Sequence, residues 1–328
     1  MNWMKITKVT ACLALGLVTC PASAIIIRHD VSDSEYVVED SEFPALVDLF
    51  YPGDCIGTLV AQSYLLTAAH CAEDLDNSDT LEVNGVTQDI AEVMLHPQYN
   101  GWTYDVAFIR LEEPATGLNP YGLYRDTDEQ GQTITLVGRG LHATGLEGES
   151  GASVDGNLRR ATNVVTVANN HWLKVEFESP DEDGVTALEG VGAAGDSGGP
   201  AFIEVDGEML IAGLNSWGDP PPGGGNNDIG KYGGIDASTR VSSYLKWIDS
   251  VLDNADTNTD TTTDTSTKTS TETATSTDTS TVIDTDCDSG ATECECNECG
   301  CASSSGHGNG WWALLGMLAL CRRRTRGG

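Results

Sequence analysis

Basic side chains are scarce in this chain of 328 residues: 17 Lys and Arg stand against 50 Asp and Glu, a formal charge of −33 at pH 7. A surface of that sign repels nucleic acid and anionic lipid, so nucleic-acid binding is excluded and the acidity reads as a solvated surface. Long apolar runs are missing too. The tail run Trp311–Cys321 would cover, as a helix at about 1.5 Å per residue, roughly half of a bilayer core of about 30 Å, too little for a permanent span. Helical periodicity is almost absent and is confined to Val241–Leu252. Nothing in the sequence calls for a cofactor, and the cysteine cluster Cys287, Cys294, Cys296, Cys299 and Cys301 is odd in number, which in an exported chain favours disulfides with one thiol left over above a metal site.

What is present reads in order. Residues 1–24 combine Lys5 and Lys8, the apolar run Val9–Val18 and Ala22-Ser23-Ala24, the build of a cleaved secretory signal; a lipobox reading of Leu17-Val18-Thr19-Cys20 is the weaker alternative. Export permits disulfides. From Phe43–Phe50 onward, short apolar or alternating runs recur with turn residues between them: Ile56–Ala61, Tyr64–Ala68, Ile90–Leu95, Val106–Leu111, Thr133–Val137, Asn163–Val167, Trp172–Phe177, Ala201–Val205 and Met209–Leu214. Many short strands and glycines predict an all-β barrel or sandwich over 25–252, closed by one C-terminal helix. Residues 253–286 are almost wholly Thr, Asp and Ser, which cannot bury enough apolar surface to order and predict a disordered stalk. Residues 287–328 hold the cysteine cluster, the short apolar run and an arginine cluster.

The chemistry gathers at Gly195-Asp196-Ser197-Gly198-Gly199-Pro200. Glycines on both sides let the backbone bend sharply and bring its N–H groups beside the Ser197 hydroxyl, the arrangement of a nucleophile with its own oxyanion hole. A serine hydroxyl needs a base, and the base an orienting group. Thr67-Ala68-Ala69-His70-Cys71 supplies a histidine after an apolar strand, and Cys55 upstream can bridge to Cys71 and clamp that segment. Asp105, in Tyr104-Asp105-Val106-Ala107-Phe108, stands at the mouth of an apolar strand, where a buried carboxylate would fix the histidine tautomer that accepts the serine proton.

These residues resemble the chymotrypsin-like, or trypsin-like, serine endopeptidases, over about Ile25 to Leu252. Further matching pieces are Phe43-Pro44, His96-Pro97-Gln98-Tyr99-Asn100, Ser216-Trp217-Gly218 and Thr239-Arg240-Val241 leading into a terminal helix. The resemblance implies two packed six-stranded antiparallel β-barrels with the site between them, His70 as base, Asp105 as its orienter, Ser197 as nucleophile, and the N–H groups of Gly195 and Ser197 as the oxyanion hole. It implies that Ser216, Trp217 and Gly218 line the substrate and that Asp196 pairs with a new N-terminal amine. Signal cleavage after Ala24 would make Ile25 that terminus, although Ile25–Phe43 is long and lacks the family's usual glycine pair.

The specificity pocket departs from the family. Val191 stands six residues before Ser197, where trypsins carry a pocket-base Asp, and Ala193 replaces the first cysteine of a pocket disulfide. Val191 points to an apolar P1 residue, whereas Asp236, counted back from Thr239-Arg240-Val241, puts a carboxylate on a pocket wall and leans toward Arg or Lys. The tail resembles the tripartite C-terminal sorting signals of Gram-negative, myxobacterial type, which implies a sorting peptidase as partner, transient membrane association, and a protease secreted or held at the envelope surface. The expected function is hydrolysis of protein or peptide substrates through an acyl-enzyme. The alternative is a catalytically silent module of the same fold, displayed on a stalk for binding or adhesion.

Overall fold

The computed structural model describes residues 24–51 and 54–259, with side chains described to Asp253. The expected secretory signal except for Ala24, the expected stalk beyond Thr259, the cysteine cluster and the arginine tail lie outside the described residues. The chain is mostly β, as expected, and folds into two barrel-like sheets.

The first is an antiparallel sheet of six strands in the order Leu46–Asp48, Ile56–Ala61, Tyr64–Thr67, Ala107–Leu111, Val86–Leu95, Thr80–Val83. Alternation along these strands sends Val47, Leu59, Leu65, Leu81, Ile90 and Ile109 inward to one core. The second sheet has nine strands, more than the six expected, because it counts short edge pairs. Its path runs Val167–Ala168, Trp172–Glu176, Ile235–Arg240, Glu208–Asp219, Pro200–Val205, Thr133–Gly138, Leu158–Val164, Val37–Val38, with Gly122–Leu123 added in parallel to Glu208–Asp219. A further core forms where the barrels meet: Leu66 and Phe108 from the first pack with Phe202, Ile211 and Leu214 from the second and with Ile248 of the helix. Fully buried aromatic and branched side chains at this seam, each contributing about 1.5–3 kcal/mol of burial, hold the two barrels at a fixed separation, and the site lies along that seam.

Several elements differ from the expectation, which lacked the strands Thr80–Val83 and Ile235–Arg240 altogether. The run Asn163–Val167 is two strands, Leu158–Val164 and Val167–Ala168. The missed half contains Arg159, which breaks the apolar pattern yet is fully buried. Its guanidinium forks onto both carboxylate oxygens of Asp33 at 2.7 and 2.8 Å and both of Asp155 at 2.9 and 2.6 Å, which satisfies the charge. The first strand is only Leu46–Asp48 and is preceded by Ile26–Ile27 and Val37–Val38. The helix is Leu245–Thr259, after a 3₁₀ turn at Val241–Ser243, so it runs on past Leu252 into residues expected to belong to the disordered stalk. Once nucleated against the barrel seam, a helix adds one hydrogen bond per residue and extends over neighbours of modest propensity.

A small three-stranded sheet places Ile26–Ile27 between Ala143–Thr144, in parallel, and Gly190–Val191, antiparallel. Ala24, Ile25 and Ile26 are completely buried there. Ile25 carries a φ of +63°, a left-handed torsion for a β-branched side chain.

Candidate active site

His70 follows the strand Tyr64–Thr67 on a single helical turn, Ala69–Ala72. Asp105 precedes the strand Ala107–Leu111, which pairs with Tyr64–Thr67 in the register Thr67–Ala107, and this pairing brings the two residues side by side. The Asp105 carboxylate, 4 % exposed, accepts the His70 backbone N–H on Oδ1 at 2.9 Å and faces Nδ1 of the ring with Oδ2 at 2.8 Å. The Ser216 hydroxyl donates to the same Oδ2 at 2.5 Å, and the Thr239 hydroxyl donates to the Asp105 carbonyl at 2.9 Å. Burial opposes charging of the His70 ring, but the hydrogen bond and negative charge of Asp105, with Glu73 adding, outweigh it and lift the imidazole above the ordinary histidine range.

Ser197 arrives from the other barrel, and its loop is sewn to the His70 segment. Cys55 N–H donates to the Gly195 carbonyl at 3.1 Å and Ile56 N–H to the Ser197 carbonyl at 2.8 Å, while Cys55 is disulfide-bonded to Cys71, next to His70. Gly198, at φ +74°, lies so close that an added Cβ would overlap the Thr67 hydroxyl and sit 2.5 Å from the Ile56 carbonyl. Only glycine permits that approach. The disulfide closes a loop with a sequence separation of 16, which in the chain-entropy treatment stabilises by about 3 kcal/mol. The Ser197 hydroxyl makes no hydrogen bond among the described residues, so the structure joins His70 to Asp105 directly and brings Ser197 to them through backbone. Gly195 takes φ +98°, and its N–H and that of Ser197 have no acceptor among the described residues.

Next to Ser197 in the chain, Asp196 is 1 % exposed. Its carboxylate accepts N–H groups from Gly140 at 2.6 Å, Ala193 at 2.9 Å and Ile25 at 3.3 Å. Burial, with no cation beside it among the described residues, pushes this carboxyl up to about 7, against the three backbone donors that hold it down. Ile25 and Asp196 are therefore together, with Ile25 contributing an amide of the uncut chain.

A cavity of about 220 Å³ opens beside Ser197, lined by Gly192, Ser216, Trp217, Gly218 and Asp236 among others. A bulge between Asn215 and Trp217 interrupts their pairing with Ile235–Arg240 and aims Ser216 out of the ladder toward Asp105. Trp217 stands edge-on to Trp172 at 5.5 Å under the Lys174 ammonium, 4.5 Å from its ring centre. Asp236, opposite Gly218 in the sheet register and 4 % exposed, accepts the Gly192 N–H at 3.1 Å. Burial lifts its carboxyl to about 6. Val191 is not in this cavity: its strand pairs it with Ile26, and its side chain is buried in the second core with Ile25 and Ile26. The period-2 alternation that turns Val191 inward leaves Gly192 to face the cavity.

Sequence reading passed over Gly138 and Gly140, where an added Cβ would press on Asp196, and over Gly192 and Glu149 on the cavity wall. The Gly138-Arg139-Gly140 step directly after the Thr133–Val137 run was the available signal for the first pair.

Residues 34–248 match the family model described as Trypsin. The chain is 30% identical over 233 residues to vitamin K-dependent protein C of Rattus norvegicus, covering 62% of this chain and 47% of that protein. It is 31% identical over 229 residues to the Mus musculus protein of the same name, covering 60% of this chain and 46% of that one. It is also 26% identical over 243 residues to chymotrypsin-like elastase family member 1 of Bos taurus, covering 66% and 87%. The match spans about half the length of the two protein C relatives.

Proposed function

Given that the chain belongs to the trypsin family, we propose that it is a secreted serine endopeptidase working through an acyl-enzyme. The observation that carries this reading is the His70–Asp105 pair, bonded at 2.8 and 2.9 Å in a segment sewn to the Ser197 loop. His70 Nε2 takes the Ser197 proton as Oγ bonds to the scissile carbonyl carbon, and the N–H groups of Gly195 and Ser197 hold the oxyanion. Collapse breaks the C–N bond, with the proton passing from His70 to the leaving amine; water then repeats the sequence on the acyl-enzyme, and the serine is regenerated. Asp105 keeps Nδ1 protonated and steadies the imidazolium. Export rests on residues 1–24 and on a disulfide that an oxidising compartment sustains. Handling of the tail by a sorting peptidase, and so release or anchoring, rests on the layout of residues 287–328.

The test is active-site labelling. A fluorophosphonate probe should modify the mature protein at Ser197, mapped by peptide mass spectrometry; a folded wild-type protein that takes no label would instead be the silent binding module.

Asp236 favours Arg or Lys at P1, since a buried carboxylate with no cation partner among the described residues is relieved by one from the substrate. Its carboxyl sits at about 6, so the charge that binds a basic side chain is present above that pH and lost below it. KM for an Arg peptide should therefore rise as pH falls through about 6. Asp236→Asn should remove that rise and lower kcat/KM for the Arg peptide by about 10²-fold. A flat KM in the wild type from pH 5 to 8 would argue against an acidic pocket.

A further inference from the structure

We propose that Glu149 is a second acidic specificity determinant of the same cavity, so that peptides with Arg or Lys at P1 are recognised by two carboxylates; this rests on the basic-P1 reading of Asp236.

The side chain is placed by Gly148, whose φ of +62° and whose missing Cβ, which would lie 2.6 Å from the Ile229 carbonyl, let the turn Glu149–Gly151 dock against Ile229. Glu149 N–H then donates to the Ile229 carbonyl at 2.9 Å, and Oε1 accepts the Ala194 N–H at 2.8 Å, which swings the carboxylate over the cavity that holds Ser197 and Asp236. Asp236 lies deep and is almost fully buried, whereas Glu149 is partly exposed, so a side chain entering the cavity meets Glu149 at the rim and Asp236 at the end.

The two acids share one field: the charge of Glu149 is among the influences that raise the Asp236 carboxyl. Among the described residues no cation pairs with either. The neighbouring lysine, Lys231, is held by Asp228 at 2.8 Å. Two like charges in a concave, low-dielectric site repel, and above the Asp236 value, where both carboxylates are charged, a cation entering between them lowers their energy. A long basic side chain is the ligand class that reaches both positions, and an arginine, with five donors in a fixed fork, can bond carboxylates in more than one direction. Holding the Ala194 N–H needs an acceptor but no charge, which an amide would supply equally well. That separates a binding role from a merely structural one.

The experiment compares mature wild type, Glu149→Gln and Asp236→Asn on matched peptides with Arg, Lys and Leu at P1, with benzamidinium as a competitive probe of cation binding. Glu149→Gln keeps an acceptor for Ala194 and removes the charge. It should lower the Arg-to-Leu ratio of kcat/KM by about tenfold, mainly through KM, and weaken benzamidinium inhibition by a similar factor. An unchanged ratio with unchanged inhibition, or an equal loss on all three peptides, would overturn the assignment and leave Glu149 as a cap for Ala194. A wild type that does not cleave after Arg or Lys and ignores benzamidinium would overturn the basic-P1 reading itself, which is a different result from an Arg-specific wild type that tolerates Glu149→Gln.

Discussion

Asp105→Asn should lower kcat/KM by about 10⁴-fold while the chain stays folded. The geometry dictates how. Oδ1 of Asp105 accepts the His70 backbone N–H and Oδ2 faces Nδ1. An asparagine must therefore keep its carbonyl oxygen at the Oδ1 position, because its amide there would point donor against donor. The NH₂ group then faces Nδ1 and forces that nitrogen to be the acceptor, so the ring proton moves to Nε2. A base already protonated on the side facing Ser197 cannot take the serine proton. The packing around the position is unchanged in volume, so near-UV circular dichroism and the unfolding midpoint should stay close to wild type while turnover and fluorophosphonate labelling rate fall together. A loss of less than about tenfold would mean that His70 is oriented without Asp105.

Asp196→Ala should reduce kcat/KM by about 10²–10³-fold and destabilise the fold by about 3–9 kcal/mol. The carboxylate serves three buried N–H groups, of Gly140, Ala193 and Ile25, and truncation leaves each without an acceptor at about 1–3 kcal/mol apiece. The turn it anchors carries Gly195, so a relaxed turn turns that N–H away from the developing oxyanion. The unmutated acid also makes stability depend on pH while the Ala24–Ile25 bond is intact. Its folded value of about 7 stands above the ordinary 3.8, so the folded chain holds the extra proton across that window and stability falls as pH rises through it, by roughly 4 kcal/mol in total. A free amine at Ile25 would place an ammonium beside the carboxylate and reverse the trend. Denaturant titrations of uncut and cut protein at pH 5 and pH 8 measure both; equal pH slopes would mean that the amine does not reach Asp196.

The all-β architecture was legible because its strands alternate and its turns carry glycine, both of which are local signals. The His70, Asp105 and Ser197 segments were legible for a similar reason, each sitting in a short distinctive stretch. What stayed hidden depends on register and on distant partners. Nothing local to Val191 tells that pairing with Ile26 turns its side chain into the core, whereas Asp236 could be set on the cavity wall because Thr239-Arg240-Val241, three residues on, gave its register. Arg159 broke the strand pattern because half of its compensation, Asp33, lies 126 residues away in sequence, Asp155 supplying the rest from four residues upstream. Glu149 looked like one acid among 50 until a glycine turn and the Ala194 N–H gave it a direction.

The torsion at Ile25 has a chemical sequel. A φ of +63° at a β-branched residue stores on the order of 1–3 kcal/mol, and φ is defined by the carbonyl carbon of the residue before. Hydrolysis of the Ala24–Ile25 bond abolishes that torsion altogether, and the new amine is left beside a buried carboxylate. The peptide bond is thus spring-loaded: once cut, it would have to be rejoined against both the recovered strain and the lost ion pair, so maturation at this bond would run as a ratchet.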